Sequence, residues 1–272
     1  MKLALLVICA VLLTSCEQEA GEAVSRIEYG RAGNVAVVSD CKRIEFEGSE
    51  LTHCIADPAI HRVKMALGPK GGKPYRSLAN LAGGRPADAA PVAFAVNGGM
   101  YDEQGMPIGY YVQNGDRLKE LNRKDGDGNF HLLPNGVFYG TGDRWNVRTS
   151  EDFYSSVLDR PQFGTQSGPM LVIGGKLHPQ ISEDGDSLKL RNAVGVDNAG
   201  RAHFVISEGE VSFGKLARFY RDGLDVPNAL FLDGTVSSLW DPARGRLDLG
   251  PPLGPMIVVE KRGKPAPGGI GQ

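Results

Sequence analysis

Residues 191–240 read RNAVGVDNAGRAHFVISEGEVSFGKLARFYRDGLDVPNALFLDGTVSSLW, a pattern that indicates strand, turn, strand, helix and strand in that order. The apolar runs Ala193–Val196 and Ala229–Leu232 are typical of buried strands. Between them, Lys215–Leu224 has apolar side chains at helical spacing and a glycine near its end, which predicts a helix. We therefore expect this stretch to form the centre of the fold.

Polar residues flank the two apolar runs and form the best active-site candidate in the sequence. Arg191 and Asn192 stand just before the first run, and Asp233, Gly234 and Ser237 follow the last. The two groups can converge only if their strands lie side by side, antiparallel or with a suitable stagger. An arginine here can grip a phosphate or carboxylate, although a surface ion pair is its usual role. A carboxylate after a buried strand is a common catalytic placement and also a common turn cap.

Length and composition describe an ordinary globular chain. It has 272 residues, of which 41% are hydrophobic and 23% are charged. The formal net charge of -2 gives no basic field, so nucleic acid is not an expected partner. The apolar run Pro91–Val96 is typical of a strand buried on both faces. We predict an α/β (α+β) fold, a single domain with a large mixed β-sheet flanked by a few helices.

The N-terminus has the pattern of a bacterial lipoprotein signal. The apolar core Leu3–Leu13 is too short to span a bilayer, and it leads into Leu-Thr-Ser-Cys ending at Cys16. Residues 1–16 are therefore predicted to be a signal with Cys16 lipidated. The alternative is an ordinary secretory signal in which Cys16 is incidental. The glutamate after Cys16 favours lipid anchoring at the outer membrane, facing the periplasm or the cell surface. Residues 17–40 would form a tether and the start of the mature chain, and residues 261–272 a flexible tail.

Two further cysteines, Cys41 and Cys54, belong to the predicted domain of residues 41–260. Export to an oxidising compartment would permit a disulfide between them, across a predicted hairpin of Arg43–Glu47 and Leu51–Ile55. Two unpaired thiols are the alternative. No cysteine and histidine cluster has zinc spacing, so no metal site is predicted.

The sequence predicts no cofactor, although one acidic stretch has a partial calcium-loop pattern. Asp125–Asn129 resembles the start of a calcium loop. However, Phe130 and Gly136 stand where such a loop needs its glycine and its bidentate glutamate. A plain turn is the better interpretation, and a divalent cation remains open.

Two more polar motifs stand beside predicted strands. Asn97-Gly98-Gly99 follows the Pro91–Val96 run, and its glycines would let backbone N–H groups approach a ligand closely. A bare turn is the alternative. Ser167-Gly168 resembles a nucleophile elbow, but the serine stands one position too late. No histidine stands in a partner context, so we expect Ser167 to donate a hydrogen bond in the site or in a turn.

Five motifs in order resemble those of the phosphodiester glycosidase family. They are NGGMY (97–101), SGPMLV (167–172), RNAVGV (191–196), LDGTVSS (232–238) and LGPM (253–256). The resemblance extends from about Ile44 to Glu260. One departure concerns the aspartate motif, which often continues with a glycine run in the family and here continues with Thr235-Val236-Ser237. This difference leaves the loop shape and the substrate open.

The resemblance implies an exported hydrolase that cleaves the glycosidic bond of a sugar–phosphate diester in envelope or extracellular glycans. Asp233, Arg191 and Asn97 would be catalytic, with Asp102 or Glu208 as a second carboxylate. The expected substrate-binding residues are Gly98, Gly99, Tyr101, Asp102, Ser167, Gly168, Asn192, Glu208, Gly234 and Ser237. Two alternatives are another polysaccharide or peptidoglycan hydrolase on the same scaffold, and a non-catalytic glycan-binding envelope lipoprotein. Aromatic residues make up only 7% and do not cluster, which mildly favours the enzyme.

Overall fold

Antiparallel β-sheets dominate residues 38–263, the part of the chain that this computed structural model describes. The strands are Cys41–Phe46 (β1), Ser49–Ala56 (β2), His61–Ala66 (β3), Val92–Asn97 (β4), Tyr111–Gln113 (β5), Asp116–Lys119 (β6), Gly136–Thr141 (β7), Arg144–Thr149 (β8), Phe163–Ser167 (β9), Met170–Ile173 (β10), Lys176–Leu177 (β11), Asn192–Val196 (β12), Ala202–Ser207 (β13), Asn228–Phe231 (β14), Leu239–Asp241 (β15), Arg246–Leu247 (β16) and Met256–Lys261 (β17). The helices are Leu78–Gly83 (α1), Ser150–Ser156 (α2) and Phe213–Arg218 (α3), and a wider π-helical turn, Phe219–Gly223, continues α3.

The strands form three sheets. The seven-stranded sheet has the order β1-β2-β13-β12-β14-β10-β11, and the two five-stranded sheets have the orders β16-β15-β4-β17-β3 and β6-β5-β9-β7-β8. The α+β class and the single domain are confirmed, since the described residues belong to one compact unit. The prediction of a single large mixed sheet is wrong, because the strands form three separate sheets and every strand pair within them is antiparallel. Most sequence-adjacent strands that pair are joined by short hairpins, whereas parallel pairs need long crossovers.

The three sheets share one hydrophobic core. Phe94 of β4, Phe138 of β7 and Phe204 of β13 come from different sheets and are almost fully buried. The ring centroid of Phe204 lies 5.4 Å from that of Phe94 and 5.7 Å from that of Phe138. Edge-to-face aromatic pairs of this kind add roughly 0.5–1.5 kcal/mol beyond the buried area. This shared core fixes the sheets against each other and thereby fixes where their strands end.

The predicted N-terminal hairpin is present in the structure. Cys41 of β1 lies opposite Cys54 of β2, and their sulfurs are bonded, which confirms the disulfide. Glu47 and Gly48 form the turn with φ values of 46° and 70°, in the left-handed region that glycine adopts without strain.

The predicted helix after β13 is also present, with shifted ends. Ser77 caps the short helix α1 by accepting a hydrogen bond from the backbone N–H of Asn80 at 3.0 Å. Helix α3 begins earlier than predicted, because Ser212 caps it by accepting from the N–H of Lys215. Among the described residues, no helix combines the length and the apolar character that crossing a bilayer requires.

Several predictions concern the ends of the chain. Cys16, its signal and most of the 17–40 tether lie outside the described residues, as does the tail from residue 264 onward. Lipidation and the boundaries at residues 16, 40 and 260 therefore stay predictions.

Candidate active site

The ends of four strands meet at the candidate site. Strands β12 and β14 are antiparallel neighbours with Ala193 opposite Phe231, so the start of one lies beside the end of the other. The N–H of Leu232 donates to the carbonyl of Asn192 at 3.0 Å. Ser167, at the end of β9, donates from its hydroxyl to the carbonyl of Leu232 at 3.0 Å. This is the side-by-side antiparallel arrangement that convergence of the two polar groups requires.

Two buried asparagines hold these strand ends together. The Nδ2 group of Asn97 donates to the carbonyl of Asp233 at 2.8 Å. Its Oδ1 atom accepts from Asn192 Nδ2 at 2.8 Å and from the N–H of Ser238 at 3.0 Å. Asn192 Oδ1 is buried and has no hydrogen-bond donor within residues 38–263. Because an unpaired buried acceptor costs roughly 1–3 kcal/mol, this oxygen is a ready contact for a substrate hydroxyl or amide.

Gly98 and Gly99 connect three strands. The N–H of Gly98 donates to the carbonyl of Pro255 at 2.7 Å, and that of Gly99 donates to Thr165 Oγ1 at 3.2 Å. A Cβ on Gly99 would overlap the carbonyl oxygen of Gln166, so only glycine permits this close approach. Both N–H groups are occupied within the protein, contrary to the expectation that they face a ligand.

Asp233 carries the most perturbed carboxylate of the site. Its side chain is half-buried, and within the described part of the chain it makes no hydrogen bond or ion pair. Burial raises the pKa of Asp233 from its ordinary value of 3.8 to about 6. Burial and then the charge of Asp233 raise the pKa of Tyr101 above its ordinary value. The Tyr101 hydroxyl donates to the carbonyl of Pro252 at 2.6 Å. Asp233 is thus a carboxylate suited to accept a proton near neutral pH.

The backbone of Arg191 lies at the candidate site, whereas its guanidinium group points away and packs against other residues. A Cβ on Gly234 would stand 2.9 Å from Arg191 Cα, so the two segments touch. Nε donates to the carbonyl of Val211 at 2.8 Å, and Nη2 donates to the carbonyl of Ser187 at 2.8 Å. The guanidinium carbon lies 3.5 Å above the ring centroid of Phe213, and burial lowers the pKa of Arg191 to about 10. Most of its hydrogen-bonding capacity is therefore committed away from Asp233.

The serines of the predicted site bond to backbone carbonyls, and its glycines allow close packing between loops. Ser167 is fully buried with its hydroxyl donating as described above, and Ser237 Oγ donates to the carbonyl of Gly234 at 2.7 Å. A Cβ on Gly168 would stand 2.7 Å from the Asn135 side chain, and one on Gly234 would stand 2.5 Å from the carbonyl oxygen of Leu190. These residues fix the loops that present Asn97 and Asp233.

Both candidates for the second carboxylate make hydrogen bonds within the protein, and neither is bonded to Asp233 in the described residues. Asp102 Oδ1 accepts from the N–H of Met106 at 2.9 Å and so closes its own turn. Glu208 Oε1 accepts from Arg246 Nη1 at 2.5 Å and also from the Thr52 hydroxyl. Burial alone would raise the pKa of Glu208, but the bonds from Thr52 and Arg246 outweigh it and lower the pKa. The structure therefore makes Glu208 a charged partner of Arg246.

Three residues of the site were not predicted from the sequence. Thr165 holds the Gly99 N–H, Ser238 donates its N–H to Asn97, and Ser207 Oγ accepts from the N–H of Arg191 at 2.9 Å. Ser238 follows the aspartate motif directly, and this adjacency could have indicated it. Within the described ranges, no group of three or more metal-ligating side chains could hold an ion.

Known proteins share the sequence and the fold of this chain. The model of the phosphodiester glycosidase family matches residues 90–245, which contain Asn97, Arg191 and Asp233. The chain belongs to the phosphodiester glycosidase family. A relative from Escherichia coli (strain K12), named Uncharacterized protein YigE, is 35% identical over 207 residues, covering 76% of this chain and 80% of that protein.

The same fold occurs in a solved family structure. It is the catalytic domain of zebrafish N-acetylglucosamine-1-phosphodiester alpha-N-acetylglucosaminidase, auto-inhibited by its pro-peptide. The TM-score is 0.56 at 16% identity, and the match covers 82% of each chain. At this identity the likeness shows the fold. Membership of the phosphodiester glycosidase family supports a hydrolase of the glycosidase type.

Proposed function

We propose that the chain is an exported hydrolase that cleaves the glycosidic bond of a sugar–phosphate diester in envelope or extracellular glycans. The observation that carries the proposal is the half-buried Asp233, whose pKa is raised to about 6, beside the buried amides of Asn97 and Asn192. A general base acts best when its pKa lies near the working pH.

In the proposed reaction, water adds to the anomeric carbon while the bond from that carbon to the phosphate oxygen breaks. The phosphate monoester leaves with the bonding electron pair, and Asp233 accepts the proton that water releases. A phosphate monoester is a good leaving group, so a strong general acid is not required. The transition state resembles an oxocarbenium ion, which the Asp233 carboxylate also stabilises. This chemistry uses one carboxylate and agrees with the engagement of Asp102 and Glu208 elsewhere.

The amide cluster would orient the sugar. Asn97 is immobilised by three hydrogen bonds, and Asn192 Oδ1 offers its acceptor to a ring hydroxyl or an acetamido N–H. Rigid placement of the reacting carbon against Asp233 supplies much of the catalytic effect in such sites. Arg191 would support this cluster through its backbone, which touches the Asp233 loop at Gly234, while Val211 and Ser187 hold its guanidinium.

The proposal also places the chain in the cell envelope. The lipoprotein pattern ending at Cys16 supports a lipid anchor, with the outer membrane as its location. The Cys41–Cys54 disulfide agrees with an oxidising compartment, because such bonds are rare in reducing cytosol. Labelling of the expressed chain with radioactive palmitate tests the anchor, and Cys16→Ser should abolish the label. Equal labelling of the variant would contradict this part of the proposal.

The decisive experiment is hydrolysis of a panel of sugar-1-phosphate diesters by the purified protein. Wild type and Asp233→Asn are compared, with and without a chelator, and Asp159→Asn serves as the control at an exposed carboxylate. We expect turnover by wild type and by the control, and a loss of at least about 100-fold in Asp233→Asn. Turnover by wild type that Asp233→Asn retains would remove Asp233 from the mechanism. Absence of turnover on every diester, in a folded protein, would favour a glycan-binding lipoprotein or another hydrolase.

A further inference from the structure

A basic cleft lies away from the candidate active site, at the edge strand β3. It has a volume of about 470 Å³ and is lined by Arg62, Lys64, Asn114, Gln162, Arg262 and three apolar or glycine residues. Three of its side chains are cations and none is an acid. A second cleft of about 420 Å³ shares Arg62, Lys64 and Asn114 with it and extends toward helix α1.

The cations of the first cleft are only partly neutralised. Lys64 pairs with the buried Glu260 at 2.9 Å, and Glu260 is shared with Arg85, also at 2.9 Å. Arg62 has an exposed side chain, and it makes no ion pair with any residue between 38 and 263. Arg262 donates to the carbonyls of His61 at 2.8 Å and Gly142 at 3.3 Å, which orient the guanidinium and leave its charge in place. The cleft therefore presents at least two uncompensated positive charges.

The shape of the cleft makes these charges a binding site for an anion. Arg62 and Lys64 alternate along β3 with the buried Val63 and Met65, so both point to the same side of the strand. The amide side chains of Asn114 and Gln162 add neutral hydrogen-bonding groups of the kind that sugar hydroxyls use. Arginines bind carboxylate and phosphate groups well, and the neighbouring amides can bind hydroxyl groups. The cleft therefore suits an anionic glycan better than an apolar ligand.

Strand β17 lies between β4, which ends at Asn97, and β3, which carries the cleft. It pairs Met256 with Asn97 and Glu260 with Arg62. Four residues along an antiparallel strand span about 13 Å. The cleft and the candidate active site are therefore separated by at least this length along the sheet, which a polymer of a few sugar units can span.

We propose that the Arg62–Lys64–Arg262 cleft is an accessory site that binds the anionic groups of a glycan polymer, whose scissile bond lies at Asp233. This inference rests on the proposed function and deepens it, because it makes the preferred substrate a repeating anionic glycan. The cleft holds a neighbouring unit by its phosphate or carboxylate and so raises the affinity for long chains. Binding in the cleft is electrostatic and weakens as salt increases.

The binding arm of the test uses the full chain in detergent and a fluorescent short oligogalacturonate as the probe. The variants are Arg62→Glu, Arg62→Gln as a milder change, and Lys176→Glu as a control that makes the same charge reversal on the distant β11. We expect salt-sensitive binding by wild type and by the control, and a Kd at least about tenfold higher in Arg62→Glu. A neutral maltooligosaccharide should not compete. Equal binding by wild type and both Arg62 variants, or equal competition by the neutral sugar, overturns the proposal.

Two further arms separate the remaining outcomes. Vesicles containing phosphatidylglycerol test the membrane: if vesicles bind through Arg62 and the oligogalacturonate does not, the cleft is a lipid-headgroup site and the glycan proposal is wrong. Turnover of a small diester tests independence from the active site, and we expect Arg62→Glu to leave its kcat/KM unchanged. If wild type turns over no diester but still binds the anionic probe through Arg62, the proposed function fails while the cleft stands.

Discussion

Asp233→Asn should make the protein more stable while it removes activity. The Asp233 carboxylate is half-buried and makes no hydrogen bond within the described residues. Its replacement by the amide of asparagine therefore removes no hydrogen bond there. Burial raises its pKa from 3.8 to about 6, so the folded state disfavours the charged form. A folded pKa above the unfolded value gives stability that is fully present below about pH 4 and is lost as pH rises through about 6.

The magnitude follows from the pKa shift. A difference of roughly two pH units at about 1.4 kcal/mol per unit gives about 3 kcal/mol of lost stability at pH 8. The neutral asparagine is free of this penalty at every pH. We therefore expect Asp233→Asn to exceed wild type by up to about 3 kcal/mol at pH 8. At pH 4 the gain should fall to roughly 0.5 kcal/mol, because the folded carboxyl is protonated and the unfolded one, with a pKa of 3.8, is only partly ionised.

Urea unfolding followed by tryptophan fluorescence at the two pH values measures the difference directly. Asp159→Asn is the matched control, because Asp159 is exposed and its replacement removes the same charge. The control should change stability by no more than about 0.5 kcal/mol at either pH. The reasoning is refuted if Asp233→Asn is no more stable than wild type at pH 8, or if its gain is the same at pH 4. Either result would mean that Asp233 does not bear a desolvated charge.

Three further predictions follow from the same geometry. The kcat/KM for a diester should rise with pH through an apparent pKa of about 6 as Asp233 ionises, and a pH–rate profile that is flat between about 4.5 and 7.5 would contradict its role as a base. Gly99→Ala should cost about 1–3 kcal/mol and most activity, because its Cβ overlaps a carbonyl of β9, whereas Gly83→Ala, whose Cβ meets nothing, should be neutral; urea unfolding compares them. Replacing Cys41 and Cys54 together by serine should cost about 3 kcal/mol, and reduction of wild type should lower its Tm while leaving that of the variant unchanged.

Local features of the fold were predictable from the sequence because their causes are local. The β1–β2 hairpin follows from a turn between two alternating runs, and Ser77 at the start of α1 follows from its capping hydroxyl. The division into three sheets was not predictable. It depends on which distant strands pair, as β2 does with β13, and such pairing leaves no periodic signal in either segment.

The candidate site was predictable as a set of positions and less so as a set of contacts. Polar residues that flank buried runs identified Asn97, Asn192 and Asp233. The antiparallel pairing of β12 with β14 brings Asn192 and Asp233 together, and the Asn97 amide bonds to both residues. The direction of a long side chain depends on its packed neighbours. For this reason the guanidinium of Arg191, which stacks on Phe213, differs from the expectation of a group aimed at the substrate.

The direction of Arg191 also explains the state of Asp233. A buried carboxylate beside an arginine usually forms an ion pair, which would lower its pKa and end its use as a base. Here the backbone of Arg191 touches the Asp233 loop at Gly234, yet Val211 and Ser187 hold its guanidinium elsewhere. Asn97 binds the Asp233 segment through the backbone carbonyl, so it fixes the residue without neutralising the carboxylate. The fold thus positions Asp233 through neutral groups and leaves its charge uncompensated, which costs stability and makes the carboxylate available for a reaction.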